Sequence, residues 1–224
     1  MTSSIAERVT IIRAQLPPSV RLIAVSKQVP TQLMREAYGA GIRDFGESRI
    51  QEAASKQMEL QDLPDITWHF IGHLQSNKAK KAVELFSWIH SVDNLHIAER
   101  LHNIAQIMGT NLHSCLQVKI LPDPQKSGWT VPQLLADLPF LSQYQSLQIQ
   151  GLMTIPPWGL EEERILYVFN HTYSLAQEIA RQKWANIQMR ELSMGMSGDY
   201  NLAVKAGATM VRLGTILFGN RPEN

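Results

Sequence analysis

Short apolar runs alternate along the chain with longer stretches whose apolar residues recur every three or four positions. The short runs fall at 22–27, 44–47, 68–72, 88–92, 115–120, 149–154, 191–194 and 210–213. Several, such as Leu22-Ile23-Ala24-Val25, show no polar alternation, which is the pattern of strands buried on both faces. The runs at 44–47 and 191–194 are the weakest of the eight. Between the runs, 94–108 places Leu95, Ala98, Leu101, Ala105 and Met108 on one helical face and stops at Gly109. The stretch 161–181 opens on three glutamates, which suits a helix N-terminus. Another helical stretch, 199–206, ends at Gly207, and 4–15 reads as an extra helix before the first strand. Eight strands separated by helices, plus that leading helix, predict a single (β/α)8 TIM barrel over residues 1–224 with an extra N-terminal helix. A doubly wound open sheet is the alternative, but eight repeats without a long insertion favour closure. No linker, internal repeat or charge run divides the chain.

Composition narrows the classes of function. With 44% hydrophobic and 18% charged residues, the 224-residue chain is neither disordered nor fibrous. Its 21 basic and 20 acidic side chains leave a net charge of +1, so no global field attracts nucleic acid or anionic lipid. A local anion site remains open. The lone Cys115 excludes an intrachain disulfide or a cysteine metal cluster, and its apolar neighbours predict a buried, inert thiol. No apolar run approaches the roughly 18 residues of a membrane span. The first residues lack the basic and then apolar pattern of a signal peptide. The expectation is a cytoplasmic protein without nucleic-acid or membrane partners.

In a barrel, chemistry gathers at the carboxyl ends of the strands. Those positions hold Lys27, Glu47, His73, Ser91, Asp93, Lys119, Thr154, Ser193 to Ser197, and Arg212 to Thr215. A lysine directly after a buried strand points into the barrel mouth, where low dielectric favours the neutral amine that attacks an aldehyde. A lysine that snorkels to the surface is the competing reading of Lys27. Lys119 ends its strand in the same manner, but Pro122-Asp123-Pro124 follow it, and a solvated lysine is expected there. The loops Ser193-Met194-Gly195-Met196-Ser197-Gly198-Asp199 and Gly214-Thr215-Ile216 follow the last two strands, where barrels commonly hold phosphate. Glycines that merely permit tight turns are the alternative. Arg212 alternates with Val211 and Leu213 and so faces the interior, where it needs an acceptor: a carboxylate such as Glu47, a phosphate or a ring nitrogen. His69 and His73 lie four residues apart on a strand, about 13 Å, too far to share a metal, and no metal site is expected. An imine-forming lysine beside a phosphate site leaves two candidates, a pyridoxal 5'-phosphate (PLP) site and a Schiff-base aldolase of phosphorylated sugars.

Several stretches are similar to the pyridoxal phosphate homeostasis protein family. They are Ala24-Val25-Ser26-Lys27 with Pro30, Phe45-Gly46-Glu47 with Gln51-Glu52, and the stretch from Trp68 to Lys78. Lys126-Ser127-Gly128, Gly151-Leu152-Met153-Thr154-Ile155, the stretch from Leu192 to Asp199 and that from Val211 to Gly219 complete the match. The resemblance implies a barrel like the N-terminal domain of alanine racemase and other fold-type III PLP enzymes. It implies PLP held on Lys27 as an internal aldimine. Ser193, Met194, Gly195, Ser197, Gly214 and Thr215 are then expected around the phosphate, and Arg212 at the pyridine nitrogen. A guanidinium there leaves the nitrogen unprotonated and the ring a poor electron sink. Two departures stand out: Ser48-Arg49 replaces the family's usual Asn-Tyr, and Lys119 its usual Asn. The implied function is PLP homeostasis, with no catalytic turnover and with apo-PLP enzymes as recipients. The competing enzyme is an amino-acid racemase. The chain ends at Asn224, soon after the last strand, so the β domain of alanine racemases is expected to be absent and the protein a monomer.

Overall fold

A computed structural model of the chain describes residues 3–219. Eight parallel strands close a ring: β1 (Arg21–Val25), β2 (Asp44–Glu47), β3 (Thr67–Phe70), β4 (Trp88–Val92), β5 (Leu112–Lys119), β7 (Leu147–Met153), β8 (Ile187–Ser193) and β9 (Met210–Leu213). The two-residue β6 (Trp129–Thr130) pairs with β5 outside the ring. Pairing of β1 with β9, Ile23 opposite Arg212, and of β4 with β5, Trp88 opposite His113, closes the barrel. The open-sheet alternative is thereby excluded.

Helices α1 (Ile5–Gln15), α2 (Thr31–Gly39), α3 (Ile50–Glu59), α4 (Ala79–Leu85), α5 (Leu95–Ile107), α6 (Val131–Leu141), α7 (Glu162–Arg181), α8 (Tyr200–Lys205) and the single turn α9 (Thr215–Phe218) lie outside the ring. The expected leading helix is α1. Ser4 and Glu7 form a reciprocal capping box at its start, and Ile5, Val9 and Ile12 are its buried face. Gly109 and Gly207, read as stops, have positive φ angles of 64° and 92°.

Strands β2, β4 and β9 have the expected bounds. Strands β5 and β8 begin three and four residues earlier than the apolar runs suggest, at Leu112 and Ile187. In β8 the first four residues alternate between buried and exposed, so a search for continuous apolar runs passes over them. Strand β1 stops at Val25, which places Lys27 in the following turn instead of at the strand end.

The larger core lies between ring and helices. A smaller cluster of Ile23, Trp88, Cys115, Met153 and Met210 is separate from it. Cys115 is buried, and burial pushes its thiol pKa up, in keeping with an inert residue. The pleat alternates side chains, so the strands carrying Trp88 and Met210 also turn His90 and Arg212 inward.

At Gly151 the strands approach too closely for a side chain: an added Cβ would lie 1.6 Å from the Glu191 carbonyl oxygen. The register of β7 against β8 shifts just before it. Gly151→Ala should therefore destabilise the protein by about 2 kcal/mol or more. Gly198, with nothing within 4 Å of an added Cβ, should tolerate alanine. Denaturant unfolding of the two variants checks the contrast.

Candidate functional site

The turn after β1 is held from both sides. The Val29 N–H donates to the Ser26 carbonyl at 2.9 Å, and Gln28 takes the left-handed conformation at φ 59°. That conformation costs a non-glycine residue about 1 kcal/mol or more. Neighbouring groups offset it. The Gln28 N–H donates to Glu52 Oε1 at 2.5 Å, and Lys56 Nζ donates to the Ser26 carbonyl at 2.5 Å. Lys56 also reaches Glu47 Oε1 at 2.8 Å and Glu52 Oε1 at 2.6 Å, and the Ser26 hydroxyl donates to Glu47 Oε1 at 2.7 Å. Lys27 stands half-buried between these anchored neighbours.

Glu47 is fully buried, and burial raises its pKa although Lys56 and Ser26 oppose the rise. Its Oε2 has no hydrogen-bond partner among the described residues. Glu52 is the reverse case. Its largest influence, burial, raises its pKa, but the bonds from Lys56 and the Gln28 N–H outweigh it and hold the carboxyl below its ordinary value. The alternative of an ion pair between Glu47 and Arg212 does not form: Lys56 is the ionic partner of Glu47.

Arg212 does face the interior, as its alternation predicts, and is 4% exposed. It donates through NH1 to Ser193 Oγ at 2.7 Å and through NH2 to the Thr154 carbonyl at 3.1 Å. It makes no ion pair among the described residues, so both acceptors are neutral. Burial lowers its pKa to about 10, which still leaves it protonated at neutral pH.

Of the residues expected around a phosphate, the structure brings only some together. The Ser193 hydroxyl is fully buried, 2.7 Å from His90 Nδ1 as well as from Arg212, and so is turned into the barrel. The Met194 N–H closes the sheet onto the Met210 carbonyl at 3.1 Å, and its side chain lies in the core. Gly195 has φ 95°, and its carbonyl accepts from the Arg212 N–H at 2.9 Å, so it joins the two loops. Ser197, Gly214 and Thr215 do come together. Ser197 Oγ faces the Gly214 N–H at 3.4 Å and the Ile216 N–H at 3.5 Å, long contacts that leave both donors weakly satisfied. Thr215 between them is exposed. Neighbouring Asp199 is held by the Met196 N–H at 2.6 Å, but burial is the larger influence and raises its pKa.

Lys119 bonds the carbonyls of Asp123 at 3.4 Å and Lys126 at 3.2 Å. It closes its own loop. His73 is exposed and bonds Asp93 at 3.0 Å and Ser127 at 3.1 Å, tying two mouth loops together. No group of three or more metal-binding side chains occurs among the described residues. Sequence reasoning missed Lys56, Glu52 and His90 as parts of this site. The spacing of Glu52 and Lys56, one helical turn, was a usable signal. So was a histidine inside the apolar strand at 88–92, since a buried imidazole must find partners.

This donor set fits a phosphorylated aromatic aldehyde. It offers an amine on an anchored turn, a buried guanidinium lacking a strong acceptor, and weakly satisfied N–H groups at the mouth. Strand β1, which leads into the turn of Lys27, and strand β9, which carries Arg212, are adjacent.

Comparison with known proteins agrees in fold and family. Residues 2–222 match the model of the alanine racemase N-terminal domain. The chain is 55% identical over 210 residues to a pyridoxal phosphate homeostasis protein of Synechocystis, covering 94% of this chain and 95% of the relative. PipY of Synechococcus elongatus has been solved without PLP and with PLP bound. The PLP-bound structure superposes with a TM-score of 0.92 at 55% identity, over 96% of this chain and all (100%) of that one. An alanine racemase of Clostridium difficile shares the fold at 12% identity and TM-score 0.75, over 99% of this chain and 58% of that one.

His69 and His90 are fully buried, and burial is the main reason that the pKa of each is lowered. In the unfolded chain each titrates near about pH 6.5. Below that pH the unfolded state binds more protons than the fold, so the stability these rings contribute at neutral pH is lost as pH falls. The melting temperature should drop between about pH 7.5 and about pH 5.5, and should drop less in His90→Gln, which lacks one of these groups. Equal drops in the two proteins would show that His90 is not held neutral.

Proposed function

Since the chain belongs to the pyridoxal phosphate homeostasis protein family, we propose that it binds PLP at the barrel mouth and releases it to other proteins. The observation that carries this reading is a buried, charged Arg212, whose acceptors among the described residues are neutral, on the strand beside β1, which leads into the turn that bears Lys27. When bound, PLP supplies an aldehyde that an amine can capture and a ring that can stabilise negative charge. Lys27 is the capturing amine, and its anchored turn fixes where that amine stands. Arg212 donates to the ring nitrogen and cannot give up its proton, so it holds the nitrogen in the unprotonated form. Ser197 and the N–H groups of Gly214, Thr215 and Ile216 receive the phosphate. Helix α9 is a single turn, so these N–H groups act as individual donors and not through a macrodipole.

The whole chain, residues 1–224, acts as one PLP-binding domain on this reading, and its partners are apo-PLP enzymes. Poor charge stabilisation by a ring beside Arg212 favours holding and passing on the cofactor over turnover. The purified, PLP-loaded protein should restore activity to an apo-PLP enzyme in a mixing assay. It should not racemise, transaminate or decarboxylate common amino acids. Steady turnover that Lys27→Ala abolishes would make the racemase-like enzyme the correct reading.

The two lysines separate cleanly in the same material. Lys27→Ala should lose the visible absorption band of bound PLP, and Lys119→Ala should keep it. Ser197→Ala should weaken binding about tenfold, since a hydrogen bond to a charged group contributes roughly 1.5–3 kcal/mol and backbone donors remain. Equilibrium dialysis showing unchanged affinity would move the phosphate elsewhere.

A further inference from the structure

The barrel interior holds a line of polar side chains that PLP binding does not by itself explain. From Arg212 it runs through Ser193 Oγ at 2.7 Å to His90 Nδ1 at 2.7 Å. It continues from His90 Nε2 to His69 Nδ1 at 2.9 Å, and from His69 Nε2 to Asp44 Oδ1 at 2.9 Å. Arg212, Ser193, His90 and His69 are all buried. Asp44, at the first residue of β2, is the partly exposed end near the opposite face of the barrel. The surroundings are largely apolar: Trp88 lies 5.9 Å from each histidine ring, between centroids. Near the Asp44 end, Arg21 approaches Asp44 at 4.0 Å and Glu191 at 3.8 Å.

Elementary chemistry fixes the direction of every bond in this line. A carboxylate only accepts, so His69 donates from Nε2. Burial keeps His69 neutral, so its Nδ1 carries no proton and accepts from His90 Nε2. His90 is neutral for the same reason, so its Nδ1 accepts the Ser193 hydroxyl proton. The Ser193 oxygen is then left to accept from Arg212, which can only donate. All four bonds point from Arg212 toward Asp44, and reversing one would set two donors or two acceptors face to face.

We propose that Asp44, His69, His90 and Ser193 are positioning residues for Arg212: they fix the donor direction on one side of the guanidinium, so that its remaining N–H groups are held for the ring nitrogen of PLP. A buried polar chain costs more than an apolar filling unless every member is satisfied. Here each of the four links has a donor and an acceptor, and the line ends on the cation that the cofactor reading requires. The residues touch no cofactor themselves and act through Arg212. The proposal rests on PLP binding at the mouth.

Two readouts test it. In the PLP-free protein, nitrogen NMR of labelled histidines should show His69 and His90 neutral and protonated on Nε2 between about pH 6 and 8. An Nδ1–H tautomer or a doubly protonated ring at either residue would overturn the proposal. PLP binding is then compared in His90→Phe, which removes both hydrogen bonds, and His90→Gln, which retains one donor and one acceptor. His90→Phe should weaken binding about tenfold and shift the visible band of bound PLP, and His90→Gln should stay within about threefold of wild type. A merely structural role would not order the two variants in this way. Wild-type affinity in His90→Phe overturns the proposal alone, and failure of the wild type to bind PLP overturns the reading beneath it. If His90→Phe does not fold, Asp44→Ala takes its place. There the two tautomers should become mixed and affinity should fall by a similar factor, and unchanged tautomers with unchanged affinity would contradict the proposal.

Discussion

A guanidinium buried inside a barrel, with no ion pair to a carboxylate among the described residues, is the constraint on which the rest of the site depends. Leaving water penalises the charge, and the lowering of the Arg212 pKa to about 10 records that penalty. The barrel offsets part of it with Ser193 Oγ and the Thr154 carbonyl, both neutral. Those contacts commit Ser193 to the interior and fix the end of β8 against β9. The two mouth loops that begin at Met194 and Gly214 start from those strand ends. A single side chain therefore ties together the barrel wall, the loop after Ser193 and the mouth.

The lysine side of the mouth is built on the opposite principle, with paired charges. Lys56 binds two glutamates and a carbonyl, and through them it anchors the residues on both sides of Lys27. Removing one partner of a buried pair costs about 3–5 kcal/mol, so this network resists change. The strained φ of Gln28 persists because Glu52 holds its N–H. Anchoring the turn, more than the strand before it, sets where the amine stands.

Much of this was legible in the sequence. The β/α alternation and the closed barrel follow from unbroken apolar runs, which only doubly covered strands can use. Arg212 was legible because its alternation with Val211 and Leu213 leaves it no direction but inward. The beginnings of β5 and β8 were not, because polar residues interrupt the apolar run there: His113 and Ser114 in β5, Gln188 and Arg190 in β8. The partners of Ser193 were not legible for a related reason. A serine at a strand end shows no direction until the strand's pleat is known, and the pleat turns this hydroxyl toward His90 and Arg212. His90 and Lys56 left local signals, but not their distant partners: Ser193 is 103 residues from His90, and Ser26 is 30 residues from Lys56. Local patterning does not encode such pairings.

The protonation state of the pyridine nitrogen in bound PLP is the most direct measure of what Arg212 does. Nitrogen NMR of the protein loaded with ring-labelled PLP reads it without reference to any activity. With a buried guanidinium that only donates at that position, the nitrogen should remain unprotonated at neutral pH and below it. A protonated pyridinium signal at neutral pH would place some other group beside the ring and contradict the role assigned to Arg212.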